Sequence, residues 1–490
     1  MAMTPATEHN QPATPPTSAT TERERRRLHT KLKFATQIGQ GIDGYIIGGI
    51  GMAMAALTTD LHLSTLMEGL VGASPLIGIF IGGPLFGRLA DRFGRRPVFL
   101  VDMMIFLIGS ILQFFVTDGL QLFLIRLLMG VAIGGEYAIG APLLSEYAPR
   151  HGRGRLLASL EISWYVGYAL ATVVGALFAD VEGGWRWSLA SSAVIAVVCV
   201  SLRGGIPESA RWLLSKGRRE EAEALIDKYG IEVDVTAELD ERSQSQREGF
   251  RALFGRRHLR STVFASVFWA ALVLPYFAIG TFWTQVFEAL NMGDNAVAAL
   301  LVYSFTAVAG VTVGCLVVDR IGRRRLLIPP FWITAGCLAL VAVFPTSTPV
   351  IVCGFLFFIF LNAASSALTA IYPLEVFPTS LRTTGVGFAT AMSRVGAAIG
   401  TFLLPMGLDR YGAQFVLLIG AGVLALGDWC RSSWPRRPRT WTWRAPPARP
   451  ARTPPDRALV KESCAPGHRG HIRRALRDVD AIRSVPRHPC

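Results

Sequence analysis

The stretch Gly87-Arg88-Leu89-Ala90-Asp91-Arg92-Phe93-Gly94-Arg95-Arg96 closes an apolar run with an acid, a base, a glycine and two arginines. It recurs as Cys315-Leu316-Val317-Val318-Asp319-Arg320-Ile321-Gly322-Arg323-Arg324, which sets Asp91 and Asp319 228 residues apart. A second pair keeps nearly the same spacing. Glu146-Tyr147-Ala148-Pro149 leads to Arg153, and Glu375-Val376-Phe377-Pro378 leads to Arg382, with the two glutamates 229 residues apart. Two separate motifs repeating at nearly one offset divide the chain into two related halves. The period is far too long for a solenoid. It suits a membrane protein whose halves move about a central site.

Composition agrees. The 490 residues are 51% hydrophobic and only 17% charged, where a soluble chain would carry about a quarter charged residues. The apolar residues fall into twelve runs, at 34–57, 66–88, 97–116, 120–144, 155–179, 185–203, 261–287, 297–318, 326–344, 349–372, 384–408 and 411–427. Most have the roughly 20 residues that a bilayer core demands. The expected fold is an all-α membrane protein with twelve transmembrane helices in two pseudo-symmetric six-helix halves, 34–203 and 261–427. Lys and Arg crowd the N-terminus and the loops after spans two, four and eight, whereas 58–65, 117–119, 288–295 and 345–348 contain neither. That bias places both termini in the cytoplasm. It also explains the net charge of +14 without a nucleic-acid partner. The seven cysteines show no paired spacing, so neither a disulfide framework nor a metal site is expected. No phosphate-binding lysine follows a glycine run, and no nucleophile–base pair is visible, so no cofactor and no enzyme activity are expected.

The motifs together resemble the major facilitator superfamily. Gly87 to Arg96 is similar to its loop between helices two and three. Pro207-Glu208-Ser209-Ala210-Arg211-Trp212-Leu213 is similar to the mark of its sugar porter branch after helix six, and Glu375, Pro378, Arg382 and Gly385 to that branch's loop between helices ten and eleven. The resemblance covers about 33–426. It implies a secondary transporter working by alternating access, as a monomer in a bacterial inner membrane, with a small-molecule substrate, protons and the lipid bilayer as partners. It also implies a small helical domain at the cytoplasmic face within 204–260. In this reading Gly87, Asp91, Arg92, Arg95, Asp319, Arg320 and Arg323 form gates. So do Glu146 with Arg153 and Glu375 with Arg382. An acid among arginines can pair with one of them and with the positive end of a neighbouring helix.

Ionisable residues inside the spans are the strongest functional signals, because a charge in hydrocarbon costs several kcal/mol unless it faces a cavity or a partner. Asp43 lies nine residues into the first span, roughly 14 Å at 1.5 Å per residue and so near the midplane. Gly41-Ile42-Asp43-Gly44-Tyr45 resembles the first helix of metabolite–proton symporters, where the acid is tied to proton coupling. Arg126 opens a run with Gly130 and Gly134 on its own face. It can pair with Asp43 or hold an anionic substrate. Glu136 follows ten residues later, and Asp43, Arg126 and Glu136 are the proton-coupling candidates.

The substrate candidates are Glu161, Tyr168, Tyr276, Trp283, Gln285 and Arg394. Glu161 stands where sugar porters resemble one another in carrying a glutamine. The seventh span departs further from them. Leu272 to Gln285 is rich in aromatics and poor in amides, and lacks the sugar porters' glutamine pair. With Arg126 and Arg394 as midplane cations, a small and perhaps aromatic carboxylate fits better than a hexose. A sugar–proton symporter, a proton-exchanging exporter and a non-transporting membrane receptor are the alternatives.

Residues 1–33 are expected to be disordered, since the first 21 are rich in Thr, Pro and Ala and lack an apolar core. The segment 428–490 differs from everything before it. It holds 14 Arg against one Lys, with five acids, and so carries +10 of the net +14. Such a composition is expected of a GC-rich gene read out of frame. A basic tail on anionic lipid is the other reading.

Overall fold

A computed structural model of the chain describes residues 19–147, 153–229, 250–256, 258–321, 323–377 and 381–432. The expectations for 1–18 and 433–490 lie outside them. Helix α1 (Ala19–Asp60) begins in the basic N-terminal segment and continues unbroken through the first span. It is followed by α2 (Thr65–Phe93), α3 (Arg95–Phe114), α4 (Gly119–Tyr147) and α5 (Arg153–Leu177). The sixth span is broken at Ser191 into α6 (Gly184–Ala190) and α7 (Ser192–Arg203). Two short helices lie in the segment between the halves, α8 (Ala210–Ser215) and α9 (Arg219–Tyr229). The seventh span breaks at Phe282 into α10 (Leu259–Thr281) and α11 (Trp283–Ala289). Next come α12 (Ala296–Ile321), α13 (Arg323–Val343) and α14 (Thr348–Val376). The final helical stretch, Arg382–Ser432, turns at Gly412, whose φ of 78° and ψ of 171° are not helical. It is therefore two helices, α15 (382–411) and α16 (413–432). Among the described residues, eleven helical stretches are long and apolar enough to cross a membrane. Dividing the last at Gly412 gives the twelve spans.

The internal repeat is visible in how the helices touch. A Cβ at Gly82 would run into the carbonyl of Val131, and one at Gly310 into the carbonyl of Phe360. The first pair joins α2 to α4, the second α12 to α14, and the two pairs are separated by 228 and 229 residues. Gly167 meets Gly41 between α5 and α1, and Gly396 meets Ala270 between α15 and α10, again one repeat apart. Without a hydrophobic drive between helices in lipid, such backbone approach is what holds them together. Large apolar side chains such as Leu128, Val194, Phe305 and Leu316 point outward, which suits a lipid-facing surface.

The halves meet across the helix ends furthest from α8 and α9. There Gln285 Nε2 donates to Glu68 Oε2 at 3.0 Å, and the hydroxyls of Thr172 and Ser304 lie 3.0 Å apart. Gly69 abuts the carbonyl of Phe402, and Gly72 abuts Thr281 and Phe282. Towards the α8–α9 end, Cys315 Sγ of α12 lies 3.6 Å from the Ala158 carbonyl of α5, and a Cβ at Gly87 would meet nothing within 4 Å.

Candidate functional site

Four helices of the first half enclose a cluster of charges. Arg203, the last residue of α7, is its centre. Its Nη2 donates to Glu136 Oε2 at 2.5 Å, and its Nη1 to Asp102 Oδ1 at 2.8 Å and to the carbonyl of Phe99 at 2.6 Å. The guanidinium also lies 3.5 Å from the centroid of the Phe99 ring. All three charged side chains are 0% exposed. Asp43 on α1 is likewise fully buried. Its Oδ2 accepts from Gln40 Nε2 at 3.4 Å, and its Oδ1 has no hydrogen-bond partner. The charged groups near it are Glu136, Asp102, Arg203 and Arg394. The small residues make this possible. No side chain would fit at Gly39, because the Glu136 carboxylate and the Arg203 guanidinium fill that space.

Arg126 does not join this cluster. Its Nη1 donates to Gln113 Oε1 at 3.2 Å and its Nη2 to the carbonyl of Ile46 at 3.1 Å. The pairing of Arg126 with Asp43 allowed by the sequence is therefore not formed. A main-chain carbonyl and an amide take its two terminal nitrogens without a counter-charge, and its Nε is buried without a partner.

Towards the second half lies a cluster of aromatic side chains. Trp164, Tyr165 and Tyr168 of α5 face Tyr276 of α10 with ring centroids 6.2, 5.8 and 6.0 Å away. Tyr303 of α12 stacks on Tyr276 at 6.4 Å. The hydroxyls of Tyr276 and Tyr303 and the indole N–H of Trp164 are buried without partners. Arg394 stands beside them, its guanidinium 5.4 Å from the Tyr137 ring and 5.6 Å from the Phe277 ring. It is 8% exposed, has an unpartnered Nε, and makes no ion pair among the described residues. Arg394 is also the charge that acts on Glu161.

Two other expected substrate residues are committed elsewhere. Trp283 donates from Nε1 to the carbonyl of Ala296 at 3.1 Å and stacks on Phe287, which makes it core. Gln285 is held by Glu68 in the closed end between the halves. Tyr168 donates to the carbonyl of Gly280 at 3.3 Å, so it joins the halves beside the aromatic cluster.

The sequence profile described as "Sugar (and other) transporter" matches residues 22–428. The chain belongs to this family. Its members are transporters of the major facilitator superfamily and not enzymes. The inner membrane metabolite transport protein YgcS of Escherichia coli K12 is 38% identical over 82% of this chain and 90% of its own length. The niacin transporter NiaP of Acinetobacter baylyi is 27% identical over 76% of this chain and 85% of its own length. The fold is similar to that of the xylose transporter XylE from E. coli, solved in an inward-open conformation, with a TM-score of 0.72 at 20% identity over 84% of this chain and 98% of that one.

The family's signature loop is tied down on the α8–α9 side. Arg95 pairs with Glu146, and Ser209 Oγ donates to the other oxygen of Glu146 at 2.6 Å. Glu208 accepts the backbone N–H groups of Arg95 at 2.9 Å and Arg96 at 3.2 Å. It therefore covers the positive N-terminus of α3. Trp212 donates its indole N–H to the carbonyl of Asp91 at 3.0 Å. The side chain of Asp91 is exposed and makes no ion pair among the described residues. The acid at the neighbouring helix end is thus Glu208, where the sequence reading looked to Asp91. Arg92 is exposed and lies over Phe93, and Arg320 is exposed. The side chains of Arg153, Asp319, Arg323, Glu375 and Arg382 lie outside the described residues.

Asp102 and Arg203 escaped the sequence reading. Asp102 was visible as a lone acid inside an apolar run, while Arg203 at a span end reads as one more topology residue.

Proposed function

We propose that this transporter couples proton entry to uptake of a small organic carboxylate, aromatic ones above all, by alternating access. The observation that carries the substrate class is Arg394. A buried guanidinium without an ion pair, set between two aromatic faces, offers a carboxylate a planar pair of donors in a low-dielectric setting. The unpartnered Tyr276 and Tyr303 hydroxyls and the Trp164 indole supply further polar contacts around an apolar ligand body. Niacin, which the Acinetobacter relative carries, is an aromatic carboxylate; xylose, which the structural neighbour carries, is a sugar.

Asp43 is the first coupling residue in this reading, with Glu136 beside it. Its carboxyl sits fully buried at mid-span with one oxygen unpaired, so a change in access from one side to the other changes whether it holds a proton. The Lys and Arg bias assigns the α8–α9 end, with both termini, to the cytoplasm of a bacterial inner membrane. The links among Glu68, Gln285, Thr172 and Ser304 then close the outer side, while Gly87, Asp91, Arg92, Arg95 and Glu146 and their second-half counterparts form the inner gate. The protein works as a monomer.

Uptake of a labelled panel of carboxylates and hexoses into proteoliposomes, with and without an inward proton gradient, tests this. Gradient-dependent accumulation of an aromatic carboxylate, unaffected by excess hexose, is expected. Saturable hexose uptake that carboxylates fail to compete would replace the substrate class.

A further inference from the structure

Glu136, Asp102 and Arg203 are no part of the aromatic wall, yet they are fully buried ions. The charges do not balance. One guanidinium faces two carboxyls, and Asp43 adds a third. Taking ions out of water is expensive unless each is compensated. The cluster also leaves Asp43 Oδ1, Asp102 Oδ2, Glu136 Oε1 and Arg203 Nε buried without partners. Arg203 divides its donors between the two acids, Nη1 to Asp102 at 2.8 Å and Nη2 to Glu136 at 2.5 Å. One guanidinium balances one carboxylate, so a second ionised acid on it is buried without compensation. The pair is compensated when one of its carboxyls holds a proton. The other titratable groups nearby are Asp43 on α1 and Cys199 on α7, whose thiol donates to the carbonyl of Ala35. From the second half Arg394 lies near Asp43.

We propose that Glu136 and Asp102 share one proton over Arg203, making a second proton site beside Asp43, with Arg203 as the residue that positions both acids. Uptake turns one carboxylate into a carboxylic acid, and no other bond changes. Such a pair titrates as a unit. Its use in transport rests on the coupling reading above; its existence does not.

The test needs no substrate. Infrared spectroscopy of the purified full-length protein reads the carbonyl stretch of buried protonated carboxyls as bulk pH is varied. In Asp43→Asn a protonated-carboxyl band is expected to remain and to titrate. It is expected to vanish in Asp43→Asn/Asp102→Asn, because Glu136 then has Arg203 to itself as a balanced ion pair. It is expected to vanish equally in Asp43→Asn/Glu136→Gln. Loss of the whole band in Asp43→Asn alone overturns the proposal, as does a band that survives both double variants. A band that behaves as expected in a protein whose uptake ignores the proton gradient would keep the site and remove the coupling reading. Gradient-driven uptake without the second band would do the reverse.

Discussion

The two halves of this transporter share their packing but not their chemistry. Gly82 on Val131 and Gly310 on Phe360 are the same contact made twice. The buried acids are not repeated. Offsets of 228 and 229 carry Asp43 to Ala271 or Leu272, Asp102 to Pro330 or Phe331, and Glu136 to Ala364 or Ser365. In the other direction Arg394 falls on Tyr165 or Val166. Helix contacts constrain both copies alike, because each half must pack in lipid. A buried ion is expensive and is kept where it acts. In the first half that is a set of acids around one arginine. In the second it is a single arginine against an aromatic wall. On this reading the proton is handled by one half and the substrate largely by the other, and their relative movement couples the two.

The largest effect that would break this contrast is at Arg203. Arg203→Met leaves two buried acids without a cation and is expected to remove about 3–5 kcal/mol of stability, seen as a collapse in the thermal melt of the detergent-purified protein. Adding Asp102→Asn and Glu136→Gln to it should restore most of the loss. At the place in the second half that corresponds to Glu136, Ser365→Ala removes only the hydroxyl bond to the Leu326 carbonyl, about 0.5–1.5 kcal/mol.

Arg394→Met is expected to weaken binding of a carboxylate substrate by about ten- to a hundred-fold, the size of one or two charge-assisted hydrogen bonds, with little change in the melt. Equilibrium binding by calorimetry reads it. Unchanged affinity would take the substrate anchor out of the second half.

The shared packing is sharpened by Gly82→Ala and Gly310→Ala, each of which drives a methyl into a backbone carbonyl. Both are expected to lose about 1–3 kcal/mol and to match one another. Gly87→Ala, with open space around its Cβ, should leave the melt unchanged. The smallest effect separates the two acids of the signature loop. Glu208→Gln gives up an anion at the α3 N-terminus, about 0.3–1 kcal/mol, whereas Asp91→Asn is expected to be neutral in stability.

Much of the architecture was legible in the sequence because it depends on runs, offsets and charge bias, all local or periodic. The breaks at Ser191 and Phe282 were not, since both lie inside continuous apolar runs. The site was legible one residue at a time. Asp43, Glu136, Glu161 and Arg394 stood out as charges in spans, and the structure brings the first two together with Asp102 and Arg203. The assembly itself was hidden, because α3, α4 and α7 meet through tertiary packing that no spacing encodes. For the same reason Arg126 read as a partner of Asp43, although its guanidinium reaches the Ile46 carbonyl one turn along the same helix. Trp283 and Gln285 read as cavity residues because their types suit a ligand. The break at Phe282 turns them to the core and to Glu68.

The central claim is that a buried acid in the first half ties transport to the proton gradient. It is tested most directly by Asp43→Asn in proteoliposomes. The account predicts that this variant loses gradient-driven accumulation of the carboxylate that the wild type takes up, while exchange of labelled for unlabelled substrate persists. Accumulation against a gradient at the wild-type level would contradict it.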